Sequence, residues 1–427
     1  MVGIFISMGF IMFLAYKGLS PIWVAPIAAA FVAFTGGADV LNAYVATYMQ
    51  GFVGFTVNWF PIFMLGAILG KLMDSTKMAK SVAVTISNKL GPKHAILAVV
   101  LAGSVLTYGG ISMFVAVFAL YPLAIVLFRE ANIPRRLIPA AITVGVFAYT
   151  MVTLPGSPQI QNLIPGQHFG TPATAAPVLG ILTGIVMGGG GLLYVIWKAK
   201  KMKAAGEVFT EPPSEVAYDP NETLPNFWLS LTPLVLVVVS LNLFNWHIIV
   251  SLIAAILLIL VLNVKHYKTF VSTINEGAKG AMLPIISVSA IVGYGWVVQS
   301  VPAFTVLVDH LMNIPGPPFV SLAVAVNLIA GVTGSASGGL AIALGTLAET
   351  YIEIAATYGY SLEAMHRVAA VAASVMDTVP HNGAILTLLA VTGMTHRESY
   401  FDIAQCTITI PLIALVFCII LASLGVV

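Results

Sequence analysis

Long apolar segments follow one another along the chain, and their order repeats once. The first group lies near residues 3–17, 20–36, 56–73, 136–164 and 172–197, with a longer stretch at 94–128. The second group lies near residues 227–244, 246–263, 281–299, 366–394 and 401–425, with a longer stretch at 317–352. A helix that spans the hydrocarbon core of a bilayer needs about 20 apolar residues, so this pattern predicts membrane-spanning helices.

The composition excludes a soluble fold. Of the 427 residues, 59% are hydrophobic and only 8% are charged, whereas about 25% of the residues in a typical soluble domain are charged. The net charge of +2 is too small to indicate a nucleic-acid partner. The sequence therefore predicts an all-α integral membrane protein, for which we expect no cofactor and no metal site.

A polar segment at residues 198–226 interrupts the apolar pattern with prolines and charges, as a solvated linker does. It separates a first repeat (1–197) from a second repeat (227–427). Turn-forming and small residues recur in the same register: Pro61 and Gly70 match Pro284 and Gly293, Gly109–Ser112 match Gly334–Ser337, and Thr153–Pro158 match Thr378–Gly383. The shared register predicts an internal repeat of the kind found in secondary transporters.

Basic residues predict the orientation of each repeat. Lysines precede the stretch 94–128 and Arg129, Arg135 and Arg136 follow it, so both of its ends favour the cytoplasmic side. This stretch is therefore predicted to be a re-entrant hairpin, and 317–352 is its counterpart. Five transmembrane spans and one hairpin per repeat place the linker in the cytoplasm. Because five is odd, the second repeat is inverted relative to the first.

Glycine and proline inside the apolar segments predict discontinuous helices near the midplane, because the freed backbone groups must line a cavity or bind a ligand. The N-terminus of a half-helix carries partial positive charge and can bind a carboxylate without lysine or arginine. The tips of the two hairpins lie at 109–112 and 334–337, and the breaks in the two discontinuous helices lie at 153–159 and 378–382. The candidate substrate-binding residues in these tips and breaks are Gly110, Ser112, Pro155, Ser157, Ser335, Ser337, Thr378, Pro380, His381 and Asn382. The alternative is that glycine and serine only permit close helix packing.

Asp377 and His381 are the candidate proton-coupling residues. They stand in the second break where the first break has Val152 and Gly156. Ionisable groups at this depth are costly and are functional candidates by default. Histidine titrates near neutral pH, and a carboxyl group in apolar surroundings can take up a proton. The alternative is that Asp377 only caps a half-helix, or that His381 is a satisfied buried histidine.

Two segments carry a resemblance to a known family. The stretch ASVMDTVPHNGAILTLLAVTGMTHRESY (373–400) and the stretch GVTGSASGGLAIAL (331–344) resemble the gluconate permease family of the ion transporter superfamily. The resemblance implies proton symport of a sugar acid such as gluconate, or of a short hydroxy acid such as 3-hydroxybutyrate. It also implies an elevator-type movement in a homodimer in the cell (inner) membrane. The family's site maps onto Ser335, Ser337, Thr378, Pro380, His381 and Asn382, and the tip of the first repeat completes it.

Other functional classes remain as alternatives. An intramembrane enzyme needs a catalytic set such as HExxH or GxSxG, and neither motif is present in the sequence. A passive anion channel needs no deep titratable pair. A sodium-coupled di- or tricarboxylate transporter is the nearest alternative, because hydroxyl and carbonyl oxygens at the same tips could coordinate Na+. The sequence leaves the choice of coupling ion open.

Overall fold

Helices make up the regular structure, because a helix satisfies its own backbone hydrogen bonds in an apolar medium. The computed structural model describes residues 2–16, 19–111, 113–212, 222–312, 314–333, 335–380 and 382–427, and these residues form no strand. The first half contains α1 (Val2–Tyr16), α2 (Pro21–Thr35), α3 (Val40–Ser75), α4 (Met78–Leu90), α5 (Ala95–Tyr108), α6 (Met113–Glu130), α7 (Arg135–Val152), α8 (Ile160–Phe169) and α9 (Pro177–Ala204).

The second half has the same order of helices. It contains α10 (Phe227–Asn242), α11 (Ile248–Leu262), α12 (Val264–Ser300), α13 (Pro302–Met312), α14 (Pro318–Thr333), α15 (Ala336–Tyr358), α16 (Leu362–Val375), α17 (Gly383–Thr392) and α18 (His396–Ser423). Each half also packs one of its short helices against the other half, an arrangement called here the exchanged packing. Helix α8 packs on α15 and α16, and its counterpart α17 packs on α6 and α7. The direction of each half relative to the membrane stays a prediction.

Six of the described helices are long and apolar enough to cross a membrane, namely α3, α7, α9, α12, α15 and α18. Ten crossings were expected from the sequence. The four apolar helices α1, α2, α10 and α11 are only 15 or 16 residues long, which corresponds to about 22–24 Å against a core of about 30 Å. The crossings predicted at 136–164 and 366–394 are each interrupted. The number of crossings therefore also stays a prediction.

The two predicted hairpin regions are helix–turn–helix pairs. Helix α5 packs on α6 and α14 packs on α15. At the first turn, Gly110 has φ +97°, a conformation that favours glycine, and the amide of Ile111 donates to the carbonyl of Leu106 at 3.1 Å. At the second turn, the amide of Ser335 donates to the carbonyl of Ala330 at 3.3 Å. A further sharp bend, of 104°, lies between α4 and α5.

The longest helices of the two halves, α3 and α12, pack against each other and form a central framework. Two glycines of α12 allow the close approach. A Cβ atom on Gly293 would lie 2.8 Å from the carbonyl oxygen of Tyr48, and one on Gly277 would lie 2.7 Å from the Cα of Ile68. The Thr56 and Ser289 hydroxyl oxygens are 2.8 Å apart across the same contact. This framework is largely apolar and packs along much of its length.

The described parts of the linker bind basic residues at the base of the first hairpin. Glu207 accepts from Arg136 at 2.7 Å, and Glu211 accepts from the Nε of Arg129 at 2.8 Å. Glu222 lies 2.7 Å from the Nζ of Lys77 and also pairs with Lys80. The acidic linker residues therefore neutralise part of the basic cluster from which the orientation was predicted.

We predict that positions 93 and 129 lie on the same side of the membrane, because α5 and α6 form a hairpin. Lys93 and Arg129 are both exposed, so Lys93→Cys and Arg129→Cys are suitable labelling sites in a variant that lacks Cys406 and Cys418. An impermeant maleimide should modify both cysteines from the same face of oriented vesicles. The control pair Ala38→Cys and Lys77→Cys flanks α3 and should react from opposite faces. Opposite labelling of 93 and 129 would rule out the hairpin.

Candidate functional site

The first tip contacts the first break directly. The hydroxyl of Tyr108 donates to the carbonyl of Pro155 at 2.9 Å. The side-chain amide of Gln159 donates to the carbonyl of Thr107 at 2.7 Å and, more weakly, to that of Ile111 at 3.4 Å. Backbone carbonyls that no helix can satisfy are thus bound by side chains from the facing element. The residue at the start of α8, Gln159, holds the tip against the break.

The predicted residues of the first half have different surroundings. A Cβ atom on Gly110 would lie 3.5 Å from the Cγ of Pro158, so this glycine faces the break. Ser157 is fully buried, and its hydroxyl donates to the carbonyl of Thr150 at 3.0 Å. Pro155 contributes the carbonyl that Tyr108 binds. Ser112 lies outside the described residues. Of these residues, Gly110 and Pro155 lie where the tip meets the break.

In the second half, Asp377 joins the tip to the break. Its Oδ1 accepts from the amide of Ala336 at 2.8 Å and from the side-chain amide of Asn382 at 3.0 Å. Asn382 also donates to the backbone carbonyl of Asp377 at 2.9 Å. The carboxylate is 7% exposed. The buried side chain of Asp377 is therefore bound by both the tip and the break of the second half.

Side chains of the second half cap its own half-helices. The Oδ1 of Asn382 accepts from the amides of Ala384 at 2.7 Å and Ile385 at 3.1 Å at the start of α17. The hydroxyl of Ser335 accepts from the amide of Gly338 at 3.2 Å at the start of α15. The hydroxyl of Ser337 lies 3.3 Å from that of Ser335. The sequence analysis predicted that the amides at the starts of these half-helices are free to bind a ligand. In the structure, the side chains of Ser335 and Asn382 accept from several of these amides.

Helix α18 contributes residues that the sequence analysis missed. The hydroxyl of Thr378 donates to that of Thr407 at 2.6 Å, and the carbonyl of Thr378 accepts from the hydroxyl of Tyr400 at 3.0 Å. The Nε2 of His396 donates to the carbonyl of Pro380 at 2.9 Å. His381 lies outside the described residues. His396 and Tyr400 fall within the segment 373–400 that carries the family resemblance, which was the available signal.

The start of α8 is open. Gln159 precedes the helix but makes no side-chain capping bond. Within the described part of the chain, the amides of Ile160 and Gln161 have no hydrogen-bond acceptor. Unpaired amides at a helix N-terminus attract negative charge. Helix α8 therefore differs from α15 and α17, whose first turns are capped.

A buried arginine of the second half also contacts the first break. Arg367 is fully buried. Its Nη1 donates to the carbonyl of Val152 at 2.8 Å and to the Oδ1 of Asn162 at 2.9 Å, and its Nη2 donates to the carbonyl of Ala175 at 2.7 Å. The signal that could have identified it is a lone charge inside an apolar segment.

Asn162 extends the network of Arg367 to both sides of the break. Its side-chain amide donates to the carbonyls of Ser157 at 2.9 Å and Ala173 at 2.8 Å. His366, also fully buried, contacts Asn162 through Nε2 at 3.2 Å and the hydroxyl of Thr171 through Nδ1 at 2.7 Å. The second half thus fixes the backbone of the first break.

A cavity of about 260 Å³ lies between α3 and α8. Its polar lining residues include Asn58, Asn162, Gln167, Thr171 and His247. None of the ten predicted substrate-binding residues lines it. Two of its lining residues contact the first break: Asn162 donates to the carbonyl of Ser157, and the carbonyl of Ala173 accepts from the amide of Gly156. The volume of the cavity lies just below the roughly 300–1,000 Å³ typical of ligand pockets.

The described side chains contain no group of three or more His, Cys, Asp or Glu residues that could hold a metal ion. Both cysteines, Cys406 and Cys418, are buried and unpaired. The polar groups of the site are therefore backbone atoms, hydroxyls, amides and the ionisable side chains of Asp377, Arg367, His366 and His396. This inventory suits reversible binding of a small polar molecule.

The known proteins to which this chain is similar are described as permeases or transporters. Residues 1–246 match the sequence pattern of the family described as GntP family permease. The chain is 39% identical to the transporter YxjC of Bacillus subtilis (strain 168), and the match covers 95% of both chains. It is 34% identical to the high-affinity gluconate transporter of Escherichia coli (strain K12), over 27% of this chain and 26% of that one.

The fold also resembles a solved structure. The crystal structure of the Alcanivorax borkumensis YdaH transporter matches 91% of this chain, and the match covers 88% of YdaH. The TM-score is 0.53 and the sequence identity is 17%. This similarity concerns the fold alone. It agrees with a helical, multi-pass membrane protein.

We predict that Asn382→Ala lowers the stability of the folded protein by about 2–3 kcal/mol. The variant loses the cap of α17 and removes a donor from buried Asp377. Thermal unfolding of purified protein in detergent measures the change. Asn226→Ala is the matched control, because the exposed Asn226 caps α10 in the same way, and we expect it to cost only about 1 kcal/mol. Equal destabilisation of the two variants would contradict the prediction.

Proposed function

This chain belongs to the GntP family of permeases, and from that membership and the site geometry we propose that it is a secondary active transporter performing proton symport of a small organic anion. It is a transporter and not an enzyme. The proposed substrate is a sugar acid such as gluconate or a short hydroxy acid such as 3-hydroxybutyrate. The match to the E. coli gluconate transporter covers about a quarter of this chain and supports the substrate class.

The observation that carries the proposal is the position of Asp377. This buried carboxylate bonds to the second tip through Ala336 and to the second break through Asn382. In the part of the chain that the structure describes, no cation lies within 4.0 Å of it. An uncompensated buried charge is costly, and binding a proton removes that cost. Asp377 is therefore the proposed coupling group, together with His381 as a second candidate.

Coupling follows from electrostatic linkage. A proton on Asp377 removes a negative charge that repels an incoming carboxylate, so proton and substrate favour the same state of the site. A proton on a histidine at position 381 would act in the same sense by attracting the anion. Low pH outside should therefore favour loading. The substrate carboxylate would be held by half-helix N-termini and hydroxyl groups rather than by lysine or arginine in the breaks.

We further propose an elevator-type movement in two inverted repeats. The framework formed by α3 and α12 is the fixed part, and the hairpins with the broken helices are the moving part. The exchanged packing, in which α8 contacts α15 while α17 contacts α6, supports a moving part built from both halves. The family resemblance supports a homodimer in the cell (inner) membrane. Together these elements allow the site to face each side in turn.

We predict that purified protein in liposomes accumulates gluconate or 3-hydroxybutyrate under an inward proton gradient. A panel that also contains citrate and succinate should be tested under a pH gradient and, separately, under a sodium gradient at constant pH. Protein-free liposomes are the control. Accumulation of the di- or tricarboxylates that depends on sodium alone would favour the sodium-coupled alternative. Anion current without accumulation would favour a passive channel.

We predict that Asp377→Asn retains substrate exchange but loses accumulation driven by a pH gradient. The asparagine oxygen can still accept from Ala336, so the tip and the break stay connected, while the titratable group is gone. Counterflow measures exchange, and uptake under a pH gradient measures coupling.

Glu349→Gln is the control, because Glu349 is an exposed acid on α15, and it should change neither activity. His381→Gln is tested in the same way. If Asp377→Asn and His381→Gln both still accumulate substrate, neither residue couples transport to protons.

A further inference from the structure

Arg367 carries a positive charge into the interior of the protein, and no acidic side chain in the described part of the chain forms a salt bridge with it. It is 0% exposed, and its three hydrogen bonds go to the neutral oxygens of Val152, Asn162 and Ala175. Among the described residues, no carboxylate oxygen lies within 4.0 Å of the guanidinium, and its Nε has no hydrogen-bond partner. A buried charge in this state is expensive. Packing alone does not account for it.

The guanidinium lies against the first break. Val152 is the last residue of α7, and Asn162 lies in the first turn of α8, so Arg367 binds both sides of the interruption. A Cβ atom on Gly180 of α9 would lie 3.1 Å from the Nε of Arg367 and 2.3 Å from the carbonyl oxygen of Thr153. Glycine at this position therefore leaves room for the guanidinium and the break to lie side by side.

The two breaks differ in charge. The first break has Arg367 beside it, and the open N-terminus of α8 adds the partial positive charge of two unpaired amides. The second break contains the acidic residue Asp377, and its helix α17 is capped by Asn382. An anion is therefore favoured at the first break and a proton or cation at the second. The sequence repeat reveals the acid of the second break but not the arginine beside the first, because Arg367 lies outside both breaks along the chain.

We infer that Arg367 is the specificity-determining residue for the substrate's charge: it positions the first break and makes that break the binding place of the carboxylate. This inference rests on the proposed function and deepens it. Arg367 acts through the backbone of the break and through its field, since all three of its hydrogen bonds are made to this chain. The hydroxylated end of the substrate then lies toward the second break and Asp377.

Two variants that change the local charge in opposite directions distinguish this role from a purely structural one. Arg367→Gln removes the positive charge and keeps side-chain amide donors near Val152 and Asn162. Glu363→Gln removes the nearest acid on α16, one turn away, whose Oε2 accepts from the amide of Ala176 at 2.9 Å. The glutamine oxygen can still accept that bond. Arg367→Gln makes the region more negative, and Glu363→Gln makes it more positive.

The experiment measures gluconate and 3-hydroxybutyrate binding to purified variants by competition in proteoliposomes. Arg367→Gln should weaken binding of the transported carboxylate by about tenfold or more, as expected for a unit charge acting over several ångströms at an effective dielectric constant near 20. Glu363→Gln should strengthen binding, and Arg367→Lys should largely restore it. The matched control is Arg135→Gln, because Arg135 is also a buried arginine whose Nε has no hydrogen-bond partner. The Nη1 of Arg135 donates to the carbonyl of Thr392, away from the first break. Arg135→Gln should leave affinity unchanged.

Specific results would overturn the inference. If Arg367→Gln and Arg367→Lys weaken binding equally, or if Glu363→Gln weakens it as well, the arginine is a structural clamp and not a charge selector. Unchanged affinity in Arg367→Gln has the same consequence. Thermal unfolding in detergent identifies a variant that fails to fold. If Arg367→Gln fails to fold, the direction in which Glu363→Gln changes the affinity for the carboxylate decides the question alone. If the wild-type protein binds neither carboxylate, the proposed function fails and not this inference.

Discussion

Peptide groups that are freed inside a bilayer must find partners, and the structure around the two breaks follows from this requirement. At the first break, the carbonyls of Val152, Pro155 and Ser157 are bound by side chains from elsewhere in the chain. At the second, Asn382 and Asp377 bind the amides of the half-helices. The tips, the buried arginine and the capping residues all lie where they can meet this demand. This demand is left partly unmet at the start of α8, where no side chain caps the helix.

The two halves satisfy the same requirement with different charges. Repetition supplies the same order of helices twice, but the side chains that complete the breaks are not equivalent, since Arg367 serves the first and Asp377 serves the second. Two breaks of different charge suit the proposed substrate, which has a carboxylate at one end and hydroxyl groups at the other. Neither Arg367 nor Asp377 forms a salt bridge within the described part of the chain.

The sequence predicted the helical membrane class and the family, and both are confirmed. Apolar segment length carries that information, because the bilayer imposes it directly. The role of Asn382 as a cap was not predicted, although asparagine before a helix favours it. The contacts of Arg367 could not be predicted, because they join residues about 200 positions apart. Pattern analysis places a residue on a segment, whereas its partner depends on how the halves pack. The calls on Ser112 and His381 remain predictions.

The exchange of contacts between halves has a consequence for synthesis. Asn162 of α8 is translated 205 residues before Arg367, its partner, and at about 5–20 residues per second this interval lasts roughly 10–40 s. During that time the first half is in the membrane with its broken helix incompletely bound. The nascent chain therefore depends on something else to shield α8, whether the insertion machinery, lipid headgroups or water. A ribosome that pauses between the two halves would prolong this exposure, so the rate of translation across the linker becomes part of the conditions for correct assembly.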